Sequence, residues 1–162
     1  MIVAEHLRKT FPGKGKDKTP VIAVDDVGFT ARDGEITGLL GPNGAGKTTT
    51  LRMLYTLMTP ESGRVLVDGV DVASDAERVR RSLGVLPDAR GVYKRLTARE
   101  NIDYFGALHG MSAAEIAART SKLAAALQME DFLDRATEGF SQGQRTKTAI
   151  ARALIHEPKN VI

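Results

Sequence analysis

The chain has 162 residues, 42% hydrophobic and 27% charged, close to the averages for a globular domain, which sets aside disorder and collagen-like architecture. Its 23 basic and 20 acidic residues leave a formal net charge of +3, too mild by itself to point to a nucleic-acid partner, and no basic–aromatic interleaving adds to it. There are no cysteines, so disulfides and thiolate metal sites are excluded. No apolar run approaches the ~20 residues of a membrane helix, and the start, Met1–Glu5, has no basic region followed by an apolar one, so no signal peptide is expected.

In chain order the pattern alternates strand and helix, which predicts an α/β layered fold. Ile2–Leu7 and Val21–Thr30 read as β-branched-rich strands. The Pro/Gly-rich stretch Pro12–Pro20 between them carries Lys14, Lys16 and Lys18, a solvated loop by the usual behaviour of charge runs, with contact to phosphates or a lipid surface as the alternative. Asp33-Gly34 signals a turn, and Glu35–Leu40 then reads as a buried strand. Leu51, Leu54, Tyr55 and Met58 fall at helical spacing over Lys47–Met58, and Arg64–Val67 is a further strand. The second half is mostly helical. Thr97-x-x-Glu100, Ser112-x-x-Glu115 and Ser141-x-x-Gln144 are capping boxes that mark three helix starts. The last helix should run to about Glu157, since Pro158 cannot continue it, and Asn160-Val161-Ile162 looks like the beginning of a strand.

The strongest motif is Gly41-Pro42-Asn43-Gly44-Ala45-Gly46-Lys47-Thr48, which fits G-x-x-x-x-G-K-[ST] between a predicted strand and a predicted helix. Glycines let the backbone curl until several N–H groups point inward at phosphates, and the helix that follows aims its positive end at the same anion. Lys47 can reach the β- and γ-phosphates, and the Thr48 hydroxyl can ligate Mg²⁺. The expected nucleotide site is therefore Gly41, Pro42, Asn43, Gly44, Ala45, Gly46, Lys47, Thr48 and Thr49, with a nucleoside triphosphate and Mg²⁺ as ligands, and the loop alone does not choose among kinases, GTPases, motor ATPases and transporters.

A second constellation, Phe140-Ser141-Gln142-Gly143-Gln144, opens the last helix. A glycine in the first helical turn costs ~1 kcal/mol against alanine, which points to a close backbone approach by something else. This cluster, followed by Ala149–Pro158, resembles the signature and signature helix of the ABC transporter ATP-binding subunits, and the resemblance covers essentially the whole chain. It is most like the sodium-extruding or drug-exporting type, on the segments Gly41–Thr50 and Leu96–Asn101. The implied fold is a P-loop NTPase nucleotide-binding domain. Residues 1–95 would form the N-terminal strands and P-loop core, 96–140 a helical subdomain, and 141–162 the signature helix and the start of the next strand.

The resemblance also implies roles. Phe11 sits where the family places an aromatic residue against adenine. Ser141, Gln142, Gly143 and Gln144 would face the ATP of a second nucleotide-binding subunit packed head to tail, and transmembrane permease subunits would receive the cycle. The protein would lie in the cytoplasm, peripheral to the inner face of the membrane, with no nucleic acid expected. Leu83–Pro87 and Gly91–Tyr93 are similar to the Q-loop region, but Asp88 stands where the family usually has Gln. A metal role for Asp88 is open, because it is shorter and charged. The family continues into a strand ending in Asp and then a catalytic Glu, whereas this sequence stops at Ile162, so the expectation is weak nucleotide binding with no appreciable turnover by these residues alone. The alternatives are a soluble ABC-type ATPase acting on nucleic acid or ribosomes, and a non-hydrolysing nucleotide-binding fragment.

Overall fold

The computed structural model describes residues 1–13, 19–86 and 91–162. Lys14, Lys16, Lys18 and Asp88 lie outside the described residues. The chain divides into two compact units, Met1–Ser82 and Leu83–Ile162.

The first unit is built on an antiparallel sheet in the order β2-β1-β3-β4, from β1 (Ile2–Phe11), β2 (Val21–Ala31), β3 (Ser62–Val67) and β4 (Val70–Asp71). Along β1 the inward side chains are Ile2, Ala4 and then Leu7, a break in the period of two. A register shift between Ala4 and Leu7 causes it, with His6 at φ +49°. Such a bulge rotates His6 out to solvent and Leu7, fully buried, into the core. His6 Nδ1 then meets Asp26 Oδ1 at 2.6 Å. Helix α1 (Lys47–Leu54) lays Thr50, Met53 and Leu54 against this sheet, beside Val24, Val65 and Val67. Helix α2 (Ala76–Ser82) adds Val79.

Two differences from the sequence reading concern this unit. Helix α1 ends at Leu54 rather than Met58. Thr56 adopts the left-handed conformation at φ +64°, Leu57 N–H donates to Arg52 O at 2.9 Å and Thr56 N–H to Met53 O at 3.3 Å. That is a Schellman stop with threonine where glycine is usual, so no glycine marked it. Glu35–Leu40 forms no strand among the described residues, and Ile36 and Leu40 are exposed. A strand needs a neighbour to take its alternating N–H and C=O groups, and no ladder partner reaches this segment here.

In the second unit helices α3 (Ala98–Leu108), α4 (Ala113–Ala126) and α5 (Gln142–Leu154) pack around Ile102, Leu123, Met129, Phe132, Leu133, Phe140, Ala151 and Ile155. A Cβ on Gly106 would stand 2.8 Å from Ile116 Cγ1 and 3.3 Å from Ile155 Cγ1, so the missing side chain is what lets α3 approach both neighbours. All three predicted capping boxes are present, with Thr97, Ser112 and Ser141 as N-caps. Asn160–Val161 (β6) does form a strand, pairing in parallel with Leu83–Gly84 (β5). Helix α5 stops at Leu154, three residues short of the expected Glu157, which itself sits at φ +52°.

His156, just past α5, stacks on His109 with ring centres 3.6 Å apart and planes 6° from parallel, and one ring nitrogen lies 3.0 Å from Leu83 O. Burial, and next the nearby His109, hold the His156 pKa below its ordinary 6.5. The folded state therefore resists protonation of His156, so its contribution is present above pH ~6.5 and is lost as pH falls below it. Thermal unfolding followed between pH 7.5 and 5.5 should show the midpoint falling with acid, and His156→Gln should flatten that slope.

Candidate functional site

The Gly-rich segment turns into a helix as its spacing predicts, without the strand expected ahead of it among the described residues. After Gly41 the chain turns through Pro42–Gly44, where Ala45 N–H donates to Pro42 O at 3.2 Å, and helix α1 begins at Lys47. Gly46 caps the helix in the left-handed conformation at φ +81° and supplies no side-chain acceptor. A Cβ there would collide with the Ala23 carbonyl oxygen of β2 and press on Val24 Cγ2, so the residue must be glycine on two counts. The first intrahelical bond runs from Thr50 N–H to Gly46 O at 2.8 Å, so the N–H groups ahead of it are free of the helix ladder.

Lys47 folds back over this turn. Its Nζ donates to Gly41 O at 2.6 Å and to Pro42 O at 2.7 Å, which places the ammonium across the mouth of the loop. No acidic residue stands in the first turn of α1 and no side chain caps it, so the turn itself supplies no anion for the positive end of the helix. Gly41–Ala45 and Thr48 are exposed, with Gly46, Lys47 and Thr49 half-buried. The donor set is an ammonium, free helix N–H groups and an exposed hydroxyl. That chemistry fits a polyphosphate, and it leaves an oxygen at Thr48 for a hard cation. No cluster of three or more His, Cys, Asp or Glu able to hold a metal occurs among the described residues, so an ion here would draw on phosphate oxygens.

Phe11 is the last residue of β1 and pairs with Val21 on β2. It is half-buried and lies at the same end of the hairpin as Ala23, against which Gly46 packs.

The signature residues lie in the second unit. Ser141 is the N-cap of α5: Gln144 N–H donates to its Oγ at 3.2 Å, and Ser141 N–H donates to Gln144 Oε1 at 3.0 Å. Ser141, Gln142 and Gly143 are exposed. A Cβ on Gly143 would meet nothing nearer than Ser141 Oγ at 3.9 Å. No contact among the described residues therefore requires glycine at 143, and the residue is exposed. Removing the cap in Ser141→Ala should cost about 1 kcal/mol, read as earlier melting of the second unit in circular dichroism.

A family model described as ABC transporter matches residues 24–162. The chain belongs to the ABC transporter family. The ATP-binding cassette fold is shared with solved structures, among them a dimeric ATP-binding cassette in a post-hydrolysis state bound to ADP and Pi, at a TM-score of 0.86 and 25% identity, covering 99% of this chain and 72% of that one. The ABC transporter ATP-binding protein NatA of Bacillus subtilis is 46% identical over 91% of the chain and 61% of its own length. The doxorubicin resistance ATP-binding protein DrrA of Mycobacterium tuberculosis is 38% identical over 98% of the chain and 46% of its own length. The chain thus spans about half to three-fifths of the length of these two relatives.

Three residues of this cassette that bear on the site were not singled out from the sequence. Asn101, fully buried on α3, accepts from Tyr93 N–H at 2.8 Å and donates to Tyr93 O at 3.1 Å and Thr97 O at 2.8 Å. Thr137, also buried, donates its hydroxyl to Tyr93 O at 2.9 Å. Arg152 lies near the C-terminal end of α5. Its guanidinium lies 3.8 Å from the centre of the Phe105 ring and bonds to Gly91 O. Burial lowers the pKa of Arg152 below the ordinary value. The partners are main-chain groups and a ring far away in sequence, so no local motif announces them.

Proposed function

We propose that this cassette binds Mg-ATP and belongs to the ATP-binding motor subunit of an exporter, whose complete protein couples ATP hydrolysis to transport. The observation that carries the reading is the loop at the start of α1, where glycine at a left-handed cap leaves helix N–H groups free and Lys47 lies across them. Lys47 would exchange its two carbonyl contacts for phosphate oxygens, a charge-assisted replacement. Mg²⁺, when bound with the nucleotide, would neutralise phosphate charge, with Thr48 as its protein oxygen. Phe11 would stack on the adenine, and Asp88 is the remaining candidate for the metal.

Support for export comes from two relatives named as Nod factor export ATP-binding proteins, and a doxorubicin resistance ATP-binding protein stands beside them. No helix among the described residues is long and apolar enough to cross a membrane. We place the subunit at the cytoplasmic face of the membrane, bound to permease subunits.

The exposed Gly143 and the free N-terminal end of α5 fit a second role. Two copies would pack head to tail, each P-loop facing the partner's Ser141 and Gly143 across a shared ATP. The structural relative with ADP and Pi is dimeric, in keeping with this arrangement. The test is ATP-dependent association in light scattering, read on the wild-type chain, Lys47→Ala and Gly143→Leu. Association should need Mg-ATP and vanish in both variants. Association that survives Gly143→Leu would overturn the role of the signature.

A further inference from the structure

One short loop holds the signature helix from both sides. Near the C-terminal end of α5, Arg152 donates to Gly91 O, faces the Phe105 ring at 3.8 Å and approaches the Tyr93 ring at 6.0 Å. Just ahead of the N-terminal end, the Thr137 hydroxyl donates to Tyr93 O, Thr137 N–H to Leu96 O at 2.9 Å, and Glu138 N–H to Lys94 O at 3.0 Å. Phe140 N–H closes onto Thr137 O at 3.2 Å, and the Phe140 ring is set in the core at 5.3 Å from Phe132, one residue before Ser141. The segment running into the signature is thus tied strand-like to the loop, and the Thr97–Ala136 bridge continues the pairing.

The two attachments differ in stiffness. The Tyr93 peptide is saturated: Asn101 takes its N–H, and its carbonyl accepts from Asn101 Nδ2, Thr137 Oγ1 and Leu96 N–H. Arg152 has no carboxylate partner among the described residues, and its Nε is buried without a hydrogen bond. A guanidinium over a ring face is held by a broad attraction with little directional demand, so at Arg152 the single bond to Gly91 O carries the direction, against four bonds at Tyr93.

We propose that loop Gly91–Leu96 sets the direction in which the signature end of α5 points, with Thr137 and Arg152 as the positioning residues that transmit its place. The body of α5 stays packed against α3 and α4 through Ala151 and Ile155, so the loop acts on the end that carries Ser141, through Thr137. The inference rests on the reading of Ser141 and Gly143 as ATP-facing groups for its functional meaning, but the mechanical link is measurable without nucleotide.

The experiment is amide hydrogen exchange on the full chain without ATP, comparing Thr137→Val, Thr137→Ser, Arg152→Met and Arg152→Lys. In Thr137→Val the amides of Gln144 and Arg145, which bond to Ser141, should exchange ~10-fold faster while those of α3 and α4 keep the wild-type rate, as expected for local opening. Thr137→Ser, which keeps the hydroxyl, should restore protection. Arg152→Met should loosen the same amides from the far end of the helix, with Arg152→Lys intermediate. A uniform rise across α3, α4 and α5, or no change at Gln144 and Arg145, would overturn the inference. If the exchange pattern appears but the unaltered protein shows no ATP-driven association, the link stands and the reading of the signature under Proposed function falls.

Discussion

Gly46→Ala should abolish measurable Mg-ATP binding while leaving most of the first unit folded. The residue sits at φ +81°, where a side chain costs roughly 1–2 kcal/mol from backbone conformation alone. The added Cβ would also strike the Ala23 carbonyl oxygen, which is main chain of β2 and can give way only if the backbone there shifts. The loop must therefore shift or α1 must start elsewhere, and either change scatters the N–H groups that would converge on phosphate. The conformational strain alone is worth about a tenfold loss of affinity, and the collision adds to it. Calorimetric titration of the variant beside wild type would measure the loss. Wild-type affinity in Gly46→Ala would mean that the observed loop is not the binding conformation.

The second large effect is expected at Asn101. Its side chain is fully buried and takes Tyr93 N–H while donating to the carbonyls of Tyr93 and Thr97. Leucine has the same number and branching of heavy atoms, with bulkier methyls, but none of these groups. Tyr93 O would keep Thr137 as donor, and Thr97 O would keep the Asn101 backbone N–H at 3.0 Å. Tyr93 N–H would be left without its partner, a penalty of about 1–3 kcal/mol for that group, with the lost bonds of the others added. Asn101→Leu should therefore destabilise the second unit by ~2–4 kcal/mol, seen as a lower denaturant midpoint. A loss below 1 kcal/mol would mean that the loop finds other partners.

These two residues show what a sequence makes visible. Gly46 was legible because its partners are local: the turn before it and the helix after it are fixed by the spacing of Gly41, Gly44, Gly46 and Lys47. The three capping boxes were legible for the same reason, each a reciprocal pair only three residues apart. Asn101 was not, since it works through carbonyls and an N–H of a loop, groups that every residue type carries. Glu35–Leu40 was read as a buried strand from its apolar residues, yet a strand is a property of two chains side by side, and the partner is not written in the segment itself. Helix α1 was read too long because Thr56 takes a left-handed stop that β-branched residues rarely adopt. Glycine at 143 was visible as an oddity, and the structure sharpens it, since among the described residues an added Cβ would meet nothing nearer than Ser141 Oγ at 3.9 Å.

Under the proposed function, the two motifs would share the work of phosphate recognition. Both present the N-terminal end of a helix. In α1 the cap is a glycine with no side-chain acceptor and a lysine covers the mouth. In α5 the cap is a serine already engaged with Gln144, so its free capacity lies in the hydroxyl's own proton and in the remaining first-turn N–H groups. The first arrangement suits a tightly held, highly charged group, and the second suits a weaker contact that forms and breaks. That asymmetry is what the proposed cycle asks of them.

The measurement that bears most directly on this account is equilibrium binding of Mg-ATP to the 162-residue chain, with Lys47→Ala as control. Saturable binding that disappears in Lys47→Ala is the predicted result, because the ammonium that now bridges Gly41 O and Pro42 O is the charge offered to the phosphates. Binding of equal strength in the two proteins would contradict the account, since the nucleotide would then be held somewhere other than this loop.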